Sequence, residues 1–366
     1  MAMLENLKIE VFRGIKDLSI SSLGQINLVV GDNNCGKTSV LEAIQLLRAS
    51  GDGSLANIYK IAKQRENMFG LNTNSIYENF MCMFPKRADC SEIGVCACIG
   101  STQVTYHITG KESKILIDSN ELDKYARRLF EASGEGIETD VFDGLIEYGN
   151  DDIVQKENIH VNRYSRVSGT AVSSKDQIRI VYVSPFEHLR GNTISLIVKN
   201  EGYKEICLKA LQLFDPDIED MMIFRSDVGD RPVEYLKHKK LGNMPLSTYG
   251  DGIKKVLVLS NAVAAADGGI LLIDEIETAI HKKYYDDIFR FIVKACKTFH
   301  VQAFITTHSI EAIDGLLETQ DYGKQSDVDD ITVITLKREN EATYSRVMPG
   351  RKVAENREAF GFEVRL

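Results

Sequence analysis

The clearest hydrophobic pattern of the chain is a short apolar run, a glycine-rich turn and an amphipathic stretch. The run at Ile26–Val30 is rich in β-branched residues, which is typical of a buried strand. After Thr38, apolar residues recur at a helical spacing, at Val40, Leu41, Ile44 and Leu47. The pattern therefore predicts a strand, a tight loop and a helix in direct succession.

The loop between them carries a phosphate-binding pattern. Residues 31–38 read Gly-Asp-Asn-Asn-Cys-Gly-Lys-Thr, which matches G-x-x-x-x-G-K-[ST] in the context that this pattern needs. Gly31 and Gly36 allow backbone N–H groups to approach phosphate oxygens, and the helix N-terminus adds partial positive charge. We predict a nucleotide site in which Lys37 bridges the β- and γ-phosphates and the Thr38 hydroxyl joins a Mg²⁺ shell. Its predicted contacts are Asn33, Asn34, Gly36, Lys37, Thr38 and Ser39.

Two further apolar runs end in polar side chains. The first, residues 269–273, is followed by Asp274 and Glu275. We predict that Asp274 holds Mg²⁺, directly or through water, and that Glu275 polarises the attacking water as a general base. The second run, Gln302–Thr307, is followed by His308. Ligands bind at the carboxyl ends of strands in open α/β sheets, so we expect His308 to contact a γ-phosphate.

A serine- and glycine-containing turn, residues 246–252, opens another predicted helix at 256–266. Such a helix start is a second anion site, and we expect Ser247 and Gly250 of one copy to complete the nucleotide site of a second copy. The alternative is that the two residues only cap their helix. Arg13, ahead of the phosphate loop, has two interpretations as well: it reaches back to the nucleotide or is a solvated turn residue.

The remaining pattern predicts strands at 4–12, 18–20, 93–99, 102–109, 114–118 and 178–183, helices at 55–69, 121–132 and 203–214, and a hairpin of 331–336 with 342–347. In the helix at 203–214 the residues expected to face inward are Ile206, Ala210, Leu213 and Phe214. Residues 133–177 are rich in Gly, Asp, Asn and Ser, and we predict a partly mobile surface insertion there. Within it, Arg163, Tyr164 and Arg166 either contact nucleic acid or form a plain exposed loop.

Composition narrows the class of protein. The chain has 366 residues, of which 43% are hydrophobic and 27% charged, and its formal net charge is −9. Nucleic-acid binding over the whole surface is therefore not expected, and any DNA contact must be a local patch or belong to a partner. Neither a membrane span nor a signal peptide is evident, so we expect a cytoplasmic protein without a membrane partner.

The seven cysteines are expected to be reduced thiols, since their number is odd and Cys35 lies in the phosphate loop. Cys90, Cys96 and Cys98 raise the question of a metal site. However, the alternating stretch 94–99 contains no paired C-x-x-C, so packed core cysteines are the favoured interpretation.

Five stretches together resemble the ABC-type ATPases of the SMC, RecF and OLD group, and most of all the OLD-like ATPases of bacterial and phage defence. They are residues 12–15, 31–38, 246–252, 270–275 and 306–309. The resemblance implies an α/β fold: an ABC-type P-loop ATPase head with a mixed central sheet, an N-terminal antiparallel β subdomain and a helical and loop insertion. We expect one domain over 1–366, with the first strands and Walker A in 1–50, the insertion in 51–177, and the signature, Walker B and histidine-loop lobe in 178–366.

The resemblance also implies functional roles. Lys37, Thr38 and Asp274 would hold ATP and Mg²⁺, Glu275 would activate water and His308 would sense the γ-phosphate. Ser247 and Gly250 would reach the nucleotide of a partner copy in a head-to-head dimer. The pattern does not place the Q-loop glutamine of this family, for which Gln64 is one candidate.

Fewer than sixty residues follow Ser309, too few for the Toprim nuclease domain of OLD nucleases. We therefore expect a stand-alone ATPase that forms a dimer or larger oligomer and regulates a separate effector, a nuclease or toxin, in anti-phage defence. Two alternatives stay open. One is a RecF-like DNA-repair ATPase that binds DNA directly, and the other is a nucleotide-gated scaffold with little turnover.

Overall fold

A computed structural model describes residues 3–48, 54–65, 74–85, 91–117, 137–150, 153–165, 178–189, 194–225, 232–322 and 330–365. The strands are β1 (Leu4–Phe12), β2 (Ile15–Ile20), β3 (Ile26–Gly31), β4 (Ser91–Ile99), β5 (Thr102–Ile117), β6 (Ile137–Asn150), β7 (Ile153–Asn162), β8 (Ile180–Val183), β9 (Ile218–Arg225), β10 (Pro232–His238), β11 (Gly242–Pro245), β12 (Ile270–Ile273), β13 (Gln302–Thr306), β14 (Ile331–Glu339) and β15 (Ala342–Pro349). The helices are α1 (Lys37–Leu46), α2 (Ser54–Lys63), α3 (Ile76–Met81), α4 (Glu201–Gln212), α5 (Asp251–Ala265), α6 (Tyr285–Thr298), α7 (Ile310–Leu317) and α8 (Gly350–Phe360).

The central sheet is mixed and has the strand order β15-β14-β3-β13-β12-β8. Five of these strands run parallel, and β15 is antiparallel to β14. The strand before the phosphate loop, β3, is thus separated from β12 only by β13. Parallel neighbours bring their carboxyl ends to the same edge, so the three polar strand ends predicted from the sequence meet there.

The inner strands β3, β12 and β13 are buried on both faces, which explains why they read as continuous apolar runs. Alternate residues of β3 enter two different hydrophobic clusters. Leu28 and Val30 pack with α4, α5, α6 and α7, whereas Val29 packs with α1 and the N-terminal β sheet. That second sheet is antiparallel with the order β2-β1-β4-β5-β6-β7, and a third sheet contains β11-β10-β9. The predicted mixed α/β fold with an N-terminal antiparallel β part is confirmed.

The insertion differs from its prediction. Residues 102–117 form one 16-residue strand rather than two, and most of the predicted surface loop at 133–177 consists of the long strands β6 and β7. Glycines in this region suggest turns from the sequence, but two of them lie inside strands. Gly110 and Gly144 face each other in register across β5 and β6. A Cβ on either would come within 2.3 to 2.6 Å of the Phe142 ring, so the glycines make room for this buried side chain. The helix predicted at 121–132 lies outside the described residues.

Two smaller predictions about inward faces fail for some of their residues, although Ala210 is buried and Phe214 packs against the core as expected. In α4 the buried residues are Tyr203, Cys207, Ala210 and Leu211, while Ile206 and Leu213 are 38% and 40% exposed. The Tyr203 hydroxyl donates to the carbonyl of Ser260 on α5 at 2.6 Å, which directs this face of α4 inward.

In β4 the core face consists of Ile93, Val95, Ala97 and Ile99, so Cys96 and Cys98 lie half-buried on the opposite face rather than in the core. The six described cysteines are free thiols, and Cys90 lies outside the described residues.

Among the described helices, none has the length and apolar character needed to span a membrane.

Candidate functional site

The phosphate loop is built around backbone conformations that favour glycine. Gly31 has a φ of 140°, and a Cβ there would lie 2.2 Å from the carbonyl oxygen of Leu336 on β14. Gly36 has a φ of 105° and is the N-cap of α1, which has no side-chain cap. The N-terminus of α1 is thus open to an anion, because no side chain of its own cap satisfies its first N–H groups. Asn33 and Asn34 are exposed on the same loop, and Asn34 also has a positive φ of 64°.

Lys37 folds back over this loop. Its Nζ donates to the backbone oxygens of Gly31 and Asp32, both at 2.8 Å. The ammonium group is therefore held at the centre of the loop by two carbonyl groups, close to the open N-terminus of α1. A phosphate entering the loop would compete with these carbonyls as a charged acceptor, which forms the stronger hydrogen bond.

Thr38 and Asp274, 236 residues apart in sequence, are in contact. The Thr38 hydroxyl donates to Asp274 Oδ2 at 3.0 Å, with Oδ1 at 3.3 Å. Asp274 follows β12 directly and is only 4% exposed. Two other hydroxyls donate to the same carboxylate, Tyr182 at 3.2 Å and Thr306 at 2.6 Å. The parallel strands β8, β12 and β13 bring all three groups to one edge.

Glu275 adopts a strained backbone conformation beside this carboxylate. Its φ of 48° lies in the left-handed region, which costs a non-glycine residue about 1–3 kcal/mol. The Glu275 N–H donates to Thr306 Oγ1 at 2.8 Å, so the same hydroxyl holds both acidic residues. The Glu275 side chain is half-buried, and Oε2 accepts a hydrogen bond from the Thr278 hydroxyl at 3.3 Å.

His308 lies at the same sheet edge but is more exposed. Its Nδ1 lies 3.0 Å from Glu277 Oε1, and its backbone N–H donates to the same oxygen at 3.0 Å. Arg365 donates to the His308 carbonyl at 3.1 Å. The His308 side chain is 53% exposed. The imidazole is therefore oriented by Glu277 while its other nitrogen remains available.

Arg13 is neither a solvated turn residue nor a free cation. Its side chain is 9% exposed, and its Nε lies 2.7 Å from Oε2 of Glu42, a fully buried carboxylate on α1. Burial lowers the pKa of Arg13, and the nearby Glu42 partly opposes this change. Arg65 pairs with the same carboxylate at 2.6 Å and donates to the Ser39 hydroxyl at 2.9 Å. Ser39 is thus bound to Arg65, and the two arginines and Glu42 together brace α1.

Ser247 and Gly250 do not join this cluster within one chain. Gly250 is the N-cap of α5 without a side-chain cap, and Ser247 lies in a short 3-10 helix; both are exposed. The capping alternative therefore fails for the Ser247 side chain. A Cβ at Gly250 would meet nothing within 4 Å. Gln64 pairs its amide with that of Gln45, at 2.7 and 3.1 Å.

Pairing also reduces the charge of the predicted nucleic-acid cluster. Arg163 lies 3.3 Å from Asp140 and 4.0 Å from Glu78, so its charge is neutralised locally. Arg166 lies outside the described residues.

The donor set fits a nucleotide with Mg²⁺. A cavity of about 780 Å³ borders Asn34, Gly36 and Ser39 on one side of the phosphate loop, whereas Thr38 and Asp274 lie outside its lining. Mg²⁺ prefers oxygen ligands, and the Thr38 hydroxyl lies against the Asp274 carboxylate at the mouth of the phosphate loop.

Four residues of the site were not predicted from the sequence: Glu42, Arg65, Tyr182 and Thr306. For Thr306, its position at the end of an apolar run was a usable signal.

A glycine loop at a helix N-terminus, with a lysine and a threonine–aspartate contact at one sheet edge, defines a P-loop nucleotide-binding protein. The family model of the AAA ATPase domain matches residues 3–227, and the chain belongs to this family.

An ATP/GTP phosphatase of Helicobacter pylori is 21% identical over 351 residues, which cover 88% of this chain and 91% of that protein. The DNA replication and repair protein RecF of Idiomarina loihiensis is 46% identical over 44 residues, 12% of each chain. A Smc head domain bound to the C-terminal domain of ScpA derived from Pyrococcus furiosus is similar in structure, with a TM-score of 0.48, 11% identity and coverage of 99% of this chain and 100% of that chain.

Proposed function

We propose that this protein binds ATP with Mg²⁺ and hydrolyses it, in the manner of ABC-type ATPases. The observation that carries the proposal is the contact of Thr38 with Asp274 at 3.0 Å, directly beside Lys37 and Glu275. These residue types at one sheet edge are the set needed to hold a triphosphate, a divalent cation and an attacking water.

Each residue has a defined task in this proposal. Lys37 exchanges its two loop carbonyls for the phosphate oxygens, and the N-terminus of α1 adds N–H donors. Bound Mg²⁺ would neutralise charge on the phosphates, with Thr38 and Asp274 holding it. Glu275 accepts the proton of the attacking water, and Thr306 keeps Glu275 beside Asp274. His308, oriented by Glu277, contacts the γ-phosphate with its exposed ring edge.

The second half of the site comes from another copy of the chain. The exposed Ser247 and Gly250 at the open N-terminus of α5 suit a phosphate presented from outside. We therefore include a head-to-head dimer that closes around ATP. By resemblance to OLD-like ATPases, closure would regulate a separate effector protein, a nuclease or toxin, in anti-phage defence.

The proposal is tested with Glu275→Gln. We expect ATP affinity to stay at the wild-type value, hydrolysis to slow by about 10²- to 10⁴-fold, and a dimer to accumulate with ATP. Nucleotide titration, phosphate release and light scattering measure the three quantities. Glu339→Gln is the matched control, because that carboxylate is 55% exposed and forms a surface ion pair with Lys337 at 2.9 Å. A wild-type hydrolysis rate in Glu275→Gln would reject the assignment of the general base.

A RecF-like role on DNA is the second candidate, favoured by the local 46% identity to RecF. In that case duplex DNA should stimulate ATP hydrolysis several-fold, and a basic patch other than Arg163 must bind it. Equal rates with and without DNA favour the effector-regulating role, and binding of ATP without turnover favours a nucleotide-gated scaffold.

A further inference from the structure

Three side chains that can bind metal converge on the face of the N-terminal β sheet opposite its core, and one of them, Glu10, also borders the cavity beside the phosphate loop. Glu10 on β1, Cys96 on β4 and His107 on β5 each offer one ligand atom, and these atoms all lie within 4.8 Å of one another. The imidazole Nδ1 of His107 is 3.7 Å from Glu10 Oε2. We propose that Glu10, Cys96 and His107 form a binding site for one divalent transition-metal ion of the Zn²⁺ class.

The backbone is arranged so that the three side chains can meet. The pairing of β1 with β4 has a register shift between Ile9 and Val11, which indicates a bulge at Glu10. Bulges redirect a side chain, and this one turns the Glu10 carboxylate toward β4 and β5. Gly94 lies opposite His107 in the β4–β5 register. A Cβ on Gly94 would lie 2.8 Å from Glu10 Oε2 and 3.3 Å from His107 Nδ1, so a side chain there would fill the space between two of the ligands.

The chemistry of the set selects the ion. A thiolate and an imidazole favour Zn²⁺ and related metals over Mg²⁺ and Ca²⁺, which prefer oxygen ligands alone. Metal–ligand bonds of about 2.0 to 2.3 Å in a tetrahedron place ligand atoms roughly 3.3 to 3.8 Å apart. Small rotamer changes on three paired strands are enough to reach this spacing. The side chains of Glu10 and His107 are 36% and 29% exposed, which leaves room for water as a fourth ligand.

A second cluster shows why the first is the better candidate. Asp215, Asp217 and His238 also lie within 4.8 Å of one another. However, His238 Nδ1 accepts the backbone N–H groups of Lys240 and Leu241, both at 3.1 Å. Its Nε2 must then carry the proton that faces Asp215 at 3.3 Å, so neither nitrogen of His238 is a free ligand.

The experiment uses the full chain after chelator treatment, with excess Mg²⁺ present to occupy the nucleotide site. Titration with Co²⁺ should give one ion per chain and a thiolate-to-cobalt charge-transfer band that added Zn²⁺ abolishes. Cys96→Ser should remove the band, and His107→Gln should weaken binding by at least about tenfold. Cys98→Ser is the matched control, since Cys98 lies on the same face of β4 and its thiol donates to the Gly100 carbonyl at 3.2 Å. Cys35→Ser controls for the thiol beside Lys37.

Unmodified protein provides a second measurement that requires no variant to fold. Zn²⁺ should protect Cys96 from alkylation, as mapped by mass spectrometry, while the exposed Cys82 reacts at the same rate with and without the ion. A missing band in the wild type, a band that persists in Cys96→Ser, or alkylation of Cys96 that Zn²⁺ does not slow would each overturn the proposal.

Discussion

The two halves of the candidate nucleotide site differ in how far one chain completes them. Around Asp274 the hydroxyls of Thr38, Tyr182 and Thr306 all donate to one carboxylate that is 4% exposed. At the N-terminus of α5, a methyl group added to the exposed Gly250 would meet no other atom within 4 Å. The first half is preorganised by its own hydrogen bonds, whereas the second presents unsatisfied donors to solvent.

This difference indicates which part of the site requires a second copy of the chain. A preorganised carboxylate and lysine can hold the nucleotide without help from outside. An exposed helix N-terminus acts on a phosphate only if another molecule brings it there. The comparison thus supports the proposed dimer. It assigns nucleotide binding to Lys37 and Asp274 and closure of the dimer to Ser247 and Gly250.

The largest expected effect comes from breaking the preorganised half at Lys37. Lys37→Ala removes the cation that the loop holds at 2.8 Å from two carbonyl oxygens, so we expect loss of ATP binding by about 10²-fold or more. Titration with a fluorescent ATP analogue measures this affinity. Lys60→Ala, an exposed lysine on α2, should bind normally. Unchanged affinity in Lys37→Ala would contradict the assignment of the phosphate loop.

Breaking the open half should leave binding intact and stop closure. Ser247→Arg places a bulky cation on an exposed position, so we expect normal ATP affinity but about 10²-fold slower hydrolysis, because a partner can no longer close over the nucleotide.

The same variant gives a sharper test by mixing. In a heterodimer of Ser247→Arg with Lys37→Ala, one composite site carries both changes and the other carries neither. Equimolar mixing of the two inactive proteins should therefore restore up to about a quarter of the wild-type rate. If the mixture remains inactive at concentrations where the wild type dimerises, the two halves do not meet in trans.

The same two halves show what local sequence can predict. The phosphate loop, Asp274 and Glu275 were predictable because each lies at the end of an apolar run, in a pattern that does not depend on distant residues. The bracing of Glu42 by Arg13 and Arg65 was not, because it joins α1 to the turns that follow β1 and α2, through contacts up to 29 residues apart. The continuity of β5 and the presence of β6 were missed for a related reason: Gly110 and Gly144 make room for the Phe142 ring across the sheet and do not form a local turn.

That bracing gives the next prediction, on stability. Glu42→Gln leaves the Arg13 guanidinium, 9% exposed, without its counter-charge, so we expect a loss of about 3–5 kcal/mol in the free energy of unfolding. Urea denaturation measures it. Asp286→Asn is the control, since its ion pair with Arg290 joins side chains that are 58% and 52% exposed and should contribute little. A loss no larger than that of the control would show that the buried pair does not stabilise the first half.

The smallest expected effect concerns Lys255, which links the two halves. It lies on α5, is fully buried, and donates to the Pro185 carbonyl at 3.3 Å while facing Glu277, Asp274 and Glu275. Burial lowers the pKa of Lys255 from 10.5 to about 8, although these carboxylates partly oppose the change. Between these two pKa values the unfolded chain binds a proton that the folded chain does not, so the free energy of unfolding rises with pH across this window. At a pH below the window both states bind the proton, and Lys255 no longer affects how stability changes with pH.

Lys255→Met should remove this rise, which amounts to about 3 kcal/mol over the whole window. Urea unfolding at about pH 8 and about pH 10 measures it as a difference from the wild type, so that other groups titrating in the same range cancel. Lys254→Met is the matched control: the Lys254 side chain is 19% exposed and pairs with Asp251, so the wild-type pH dependence should persist. Equal slopes for Lys255→Met and the wild type would mean that Lys255 keeps its proton in the fold. Its charge would then remain paired with the acidic cluster, and the link between the halves would be an ion pair rather than a neutral hydrogen bond.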